Sequence, residues 1–219
     1  MVGGEKFQVH WFGRCKRAIV GLSGAQGNWL RPGGAMAGDT SDATADRVVG
    51  PLREARLPLY DGLRRIQVAA SAVDGAELPM AMAALDAAME FLVDTLLPYC
   101  HAEEFTMFIA IDGAIGVIGA SGVMVAQHRS ITAMADDLGQ VVEAARNAGD
   151  VAAYRGYFLP LLHGIYALAR AHLESEDDAY LALLDEHLSE SQVGMIVDNM
   201  KRMVAGSAPP TEAIAFPQL

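Results

Sequence analysis

Tyr166-Ala-Leu-Ala-Arg-Ala-His172-Leu-Glu-Ser-Glu176-Asp177-Asp178-Ala-Tyr180-Leu-Ala-Leu-Leu184 is the stretch on which the fold turns. His172 and Glu176 stand four residues apart, so on a helix an imidazole and a carboxylate share one face, one turn apart. An ordinary apolar bundle has no reason to put such groups on its inner stripe, because burying them without partners is costly.

Two other segments have the same form. Gln127-His128-Arg-Ser-Ile131 sets His128 near a predicted helix start, and Pro98-Tyr99-Cys-His101-Ala-Glu103-Glu104-Phe105 sets Tyr99 and Glu103 one turn apart. Di-iron helical bundles use this device: carboxylates from facing helices bridge metals and imidazoles cap each one.

The rest of the chain reads as helix. Apolar residues make up 52% and aromatics only 7%, with Ala abundant, which favours helices over sheets. A first block from about Asp46 to Val73 carries Leu52, Leu59, Leu63, Ile66 and Ala70 on one stripe. Pro51 suits its first turn, and Pro58 predicts a kink or restart. A second block, about Leu78 to Ile109, has Met82, Leu85, Met89, Leu92, Val93, Leu96 and Leu97 inward, with a bend near Leu96 imposed by Pro98. A glycine-rich loop from Asp112 to Gly122 follows. The third block spans about Val123 to Ala148 and stops at Asn147-Ala-Gly149-Asp150. The fourth runs from about Asp150 to Leu188, with Pro160 as a kink near its start. Ser189-Glu190-Ser191 then caps a short fifth helix, Gln192 to Val204. Four long helices with short links predict an all-α, up-down-up-down four-helix bundle with a short extra C-terminal helix.

This organisation gives an irregular Gly-rich arm over 1–43, a bundle over 44–205 and a loose tail over 206–219. The arm holds five basic and three acidic residues and both tryptophans. The net charge of −11 argues against nucleic acid as a partner, since phosphate binding needs a basic face. Cys15 and Cys100 form no CxxC pair, which favours a reducing compartment. The apolar run Phe108 to Ala126 contains Asp112 and four glycines, so it is read as a loop between helix ends and not as a membrane span. Without a signal-peptide pattern, the expected location is cytoplasmic.

From about Pro51 to Val204 the chain resembles the hemerythrin-like (HHE cation-binding) domains of actinobacterial type. Leu52-Arg-Glu-Ala-Arg56 is similar to the family's first-helix segment, Leu97-Pro98-Tyr99-Cys-His-Ala-Glu103-Glu104 to its second, and Gln127-His128-Arg-Ser-Ile131 to its third. The helix-four stretch quoted at the outset is the most specific match. The resemblance implies a non-heme iron centre, mononuclear or dinuclear, with His128, His172, Glu103 and Glu176 as ligands. It also implies a small diatomic or peroxide ligand, and peroxide, nitric-oxide or O₂ handling or redox sensing as the role.

Two departures fall together. Arg56 and Tyr99 stand where the family has the histidines of helices one and two, which serve one metal, while helices three and four serve the other. Tyr99 is the one ligand left to the depleted half, and a phenolate would favour ferric iron. His101, two residues on, is rotated by about 200° and is expected to point away. His163 is expected at the surface, and His10 and His187 have no assigned role. Arg56 is placed to pair with Glu103 or Glu176 in lieu of a metal, which opens an alternative: a metal-free interaction or regulatory module. The discriminator is geometric. If metal binds, the four ligand side chains should converge within about 5 Å of one point; if Arg56 fills that point, the module reading gains.

Overall fold

The computed structural model describes residues 48–206 and 208, which form helices and no strand. The arm over 1–43, with His10 and Cys15, lies outside the described residues, as do both predicted bundle boundaries' flanking segments at 44–47 and most of the tail. The helices are α1 (Gly50–Gly75), α2 (Leu78–Phe91), α3 (Leu97–Glu104), α4 (Met107–Ile115), α5 (Gly122–Ala148), α6 (Arg155–Ser175), α7 (Leu181–His187) and α8 (Glu190–Val204). Wide π-turns at Leu92–Leu96 and Glu176–Tyr180 splice α2 to α3 and α6 to α7. The result is four long helical runs. α1 packs on α2 and α6, and α5 packs on α6, α2 and α3; α8 covers α3 and α1, while α4 lies against α3 and α7.

The predicted stripe of α1 is buried throughout, from Leu52 to Ala70. Its N-terminus is tied to the fourth run, because Asp185 Oδ1 accepts from the Val48 and Val49 amides at 2.7 and 3.2 Å. Gly62 lets α1 approach α2 closely: a Cβ there would lie 1.9 Å from the Phe91 ring. Gly149 ends α5 in the left-handed region at φ 66°, as the Asn147–Asp150 signal implies. Ser189 caps α8 in a reciprocal capping box with Gln192.

Three expectations need correction. The helix does not restart at Pro58: α1 runs unbroken through it, as α6 does through Pro160. Both prolines, and the residues four positions earlier whose carbonyls lose a donor, face solvent, which supplies the missing hydrogen bonds. The second run breaks at Phe105-Thr106, and the glycine-rich segment carries α4 as far as Ile115, leaving 116–121 as the turn. There Asp112 accepts from the Gly119 and Ser121 amides at 2.6 and 2.8 Å, tying the turn to the end of α4. Val93 is 52% exposed where an inward position was expected. The distortion forecast from Pro98 is taken up by the π-turn just before it, in which Leu97 N–H returns to Leu92 O, one residue further back than in an α-helix. That extra residue changes which faces turn inward. No described helix is long and apolar enough to cross a membrane.

Candidate metal centre

Each long run delivers one part of a single buried cluster. α3 supplies Tyr99 and Glu103, α5 supplies His128, α6 supplies His172, the second π-turn supplies Glu176 and α1 supplies Arg56. One ligand atom from each of Glu103, His128, His172 and Glu176 can be chosen so that all lie within 4.8 Å of one another. All four residues are buried.

The imidazoles are held from behind. His128 Nδ1 lies 3.0 Å from Glu104 Oε1, and His172 Nδ1 lies 2.9 Å from Gln127 Oε1. Both partners are acceptors, so both Nδ1 atoms carry the proton and both Nε2 lone pairs turn inward. Those two Nε2 atoms sit 2.9 Å apart. Glu176 Oε1 is 3.2 Å from His172 Nε2, while Glu103 Oε2 is 3.5 and 3.9 Å from the two Nε2 atoms. Phe108 of α4 stacks on His128 at 5.2 Å between ring centroids and closes one wall.

Arg56 occupies the other side. Its Nη2 donates to Glu176 Oε2 and to Leu173 O, the latter at 3.1 Å, and its Nη1 donates to Asp177 Oδ1 at 2.9 Å. Tyr60, one turn on along α1, donates its hydroxyl to Asp177 Oδ2. The wide turn beginning at Glu176 lets two consecutive carboxylates meet one guanidinium.

Residues 58–184, more than half of the chain, match the family model of the hemerythrin HHE cation binding domain. The chain belongs to that family. No curated protein and no solved structure matches it. The matched span of this hemerythrin-family chain contains all four converging ligand candidates and Tyr99, whereas Arg56 lies two residues before it begins.

The residues present fit a cation. Two inward lone pairs 2.9 Å apart repel unless a positive charge lies between them, and Glu103 Oε1, Glu103 Oε2 and Glu176 Oε1 are buried without a hydrogen bond. The donor set, two imidazoles and two carboxylates with acceptors behind both rings, is that of a transition-metal site.

The electrostatics point the same way. Burial by itself would lower the His172 pKa, but Glu103 and Glu176 outweigh it and raise it to about 9. Burial opposes the Arg56 charge, yet Glu176, Glu103 and Asp177 more than compensate. Burial would raise Glu103, but the pull of His128 and His172 holds it below the usual carboxylate range. Burial and the nearby Glu103 charge raise Glu176. Burial, reinforced by Glu103, pushes the Tyr99 phenol far up, so it is a neutral hydroxyl in the metal-free protein, and that hydroxyl has no partner.

A proton on His172 is thus the metal-free protein's substitute cation. Its folded pKa lies above the ordinary 6.5, so its stabilisation is complete below pH 6.5 and is lost as pH rises through about 9. Metal-free protein should therefore lose roughly 3 kcal/mol between those limits. Denaturant unfolding at both pH values checks this; a flat profile would refute it.

The structure brings His128, His172, Glu103 and Glu176 together, and buries Tyr99 one turn before Glu103 on the same helix. His101 is exposed and packs on Phe105 at 4.8 Å, turned away as expected. His163 and His187 are exposed too. Sequence reasoning missed Glu104 and Gln127 as partners of the imidazoles, and Tyr60 and Asp177 as partners of Arg56. Adjacency to a ligand was the available signal for Glu104, Gln127 and Asp177; Tyr60 is flagged only by its i, i+4 spacing from Arg56.

Proposed function

We propose that this hemerythrin-family protein binds non-heme iron through His128, His172, Glu103 and Glu176, with Tyr99 as a further donor, within an up-down-up-down bundle of the four long runs. The observation that carries the reading is the pair of inward Nε2 atoms 2.9 Å apart beside a Glu103 carboxylate with no hydrogen-bond partner. Iron, when bound, would supply redox chemistry toward a small ligand such as peroxide, nitric oxide or dioxygen. The protein's part is to orient the imidazoles through Glu104 and Gln127 and to wall the site from water with Phe108. A Tyr99 phenolate would favour the ferric state, which suits peroxide or nitric-oxide handling or redox sensing better than reversible O₂ carriage.

A second reading, a metal-free interaction module, is favoured by one observation: the buried Arg56–Glu176 pair already compensates part of the cluster's charge. Metal analysis of protein made in iron-rich medium separates the two. Iron near stoichiometric levels and a Tm lowered by chelation are expected, while less than about 0.2 iron per chain and a Tm indifferent to chelator would favour the module.

A further inference from the structure

Arg56 is a fixed cation built into the cluster. Its side chain is wholly buried, and three groups hold it: Glu176 and the Leu173 carbonyl on Nη2 and Asp177 on Nη1, with Tyr60 bracing Asp177 from its other oxygen. Glu176 is consequently divided. Oε2 is committed to the guanidinium, and only Oε1 faces the imidazoles.

We infer that the centre takes one metal ion and that the Arg56 guanidinium stands as its second positive charge. The inference rests on the metal-binding reading above. Charge supports it first. Glu103, Glu104, Glu176 and Asp177 bring four negative charges, and Arg56 with Arg53, which lies 3.4 Å from Asp177, brings two positive ones, which leaves two to be neutralised. One divalent ion cancels them; a second would leave excess positive charge in a buried, low-dielectric space. Donor supply supports it independently. A metal site needs about three or four protein ligands, and the four converging donors make one such set. Outside those four residues, the buried unpartnered oxygen donor among the described residues is the Tyr99 hydroxyl, and Glu176 Oε2 is already taken by Arg56. A lone phenol beside a guanidinium does not hold a second cation.

The geometry also gives the arginine a dedicated seat. Arg56 and Tyr60 lie one turn apart on α1 and meet the same Asp177, so the helix-one surface is built around the guanidinium. The planar fork satisfies two carboxylates at once, which a lysine ammonium would not reproduce.

The test is the metal content of the whole protein loaded anaerobically with ferrous iron alone and desalted, read by elemental analysis and native mass spectrometry. EPR after oxidation gives a second readout. One ion per chain with an isolated high-spin ferric signal is expected for the protein as it stands. Arg56→His/Tyr99→His should take up two, with the signal lost to coupling between the irons. Two ions in the parent would overturn the inference and leave the metal-binding reading intact. No ion in the parent would overturn that reading, and the inference with it. Should the double variant fail to fold, Arg56→Met, prepared with metal present, decides. Removing the neighbouring charge and freeing Glu176 should tighten metal binding at least about tenfold, and equal or weaker binding would overturn the inference.

Discussion

Arg56→Met should lower the stability of the metal-free protein by about 3–5 kcal/mol, seen as an earlier midpoint in denaturant unfolding. The arginine is fully buried, and so is Glu176, the partner it would leave behind. Methionine fills much of the same volume but offers no donor, so Glu176 Oε2, Asp177 Oδ1 and the Leu173 carbonyl all lose one. Glu176 would escape part of the cost by taking up a proton, a course already favoured by burial and by the Glu103 charge. The loss should therefore be smaller in mild acid than at neutral pH. Added metal should recover much of the stability, because a divalent ion replaces the missing charge beside Glu176. A change below about 1 kcal/mol would place Arg56 among ordinary surface charges and remove the basis for its role.

How much of this was legible in the sequence depends on the kind of interaction. His172 and Glu176 could be read because helical spacing fixes which side chains share a face, and the same holds for Tyr99 and Glu103. The stripe of α1 was readable for the same reason. Arg56 was half-readable: its place in the pattern put it near the carboxylates, but only the fold chooses Glu176 over Glu103 and adds Asp177. That choice depends on the π-turn at Glu176, which widens the helix without any proline or glycine in the turn. The π-turn at Leu92 could be foreseen as a disturbance before Pro98, yet not as an inserted residue that exposes Val93. The backing of His128 by Glu104 and of His172 by Gln127 was hidden because each is a contact between different helices. The end of α4 was hidden by Gly113 and the glycines that follow the helix, which local propensity reads as loop; Met107, Phe108 and Ile111 buried in the core outweigh that preference.

Glu103→Gln should abolish metal retention, with affinity falling at least about 100-fold, while the metal-free fold stays within about 1 kcal/mol of the parent. The two halves of this prediction have one cause. Glu103 is buried, and neither carboxylate oxygen has a hydrogen-bond partner; the nearest imidazole nitrogens stand 3.5 and 3.9 Å away. Its burial carries a desolvation cost, which a neutral isostere relieves, while the pull of His128 and His172 that offsets this cost is lost with the charge. Set against that relief, the amide removes the charge that helps keep a proton on His172, so the net change is small. A cation, by contrast, loses one of its two anionic donors. At metal concentrations near 100 times the parent's Kd, the parent gains roughly 2.7 kcal/mol of stability by linkage, and the variant should gain almost none. Thermal melts with and without metal read this directly, beside elemental analysis after desalting. If Glu103→Gln instead kept its metal, the centre would be held by His128, His172 and Glu176 alone. If it lost several kcal/mol without metal, Glu103 would be a structural partner of the imidazoles and the metal-free module would be the better account. A carboxylate that the empty fold can exchange for an amide at little cost, and that is needed once a cation arrives, is the signature of a binding group.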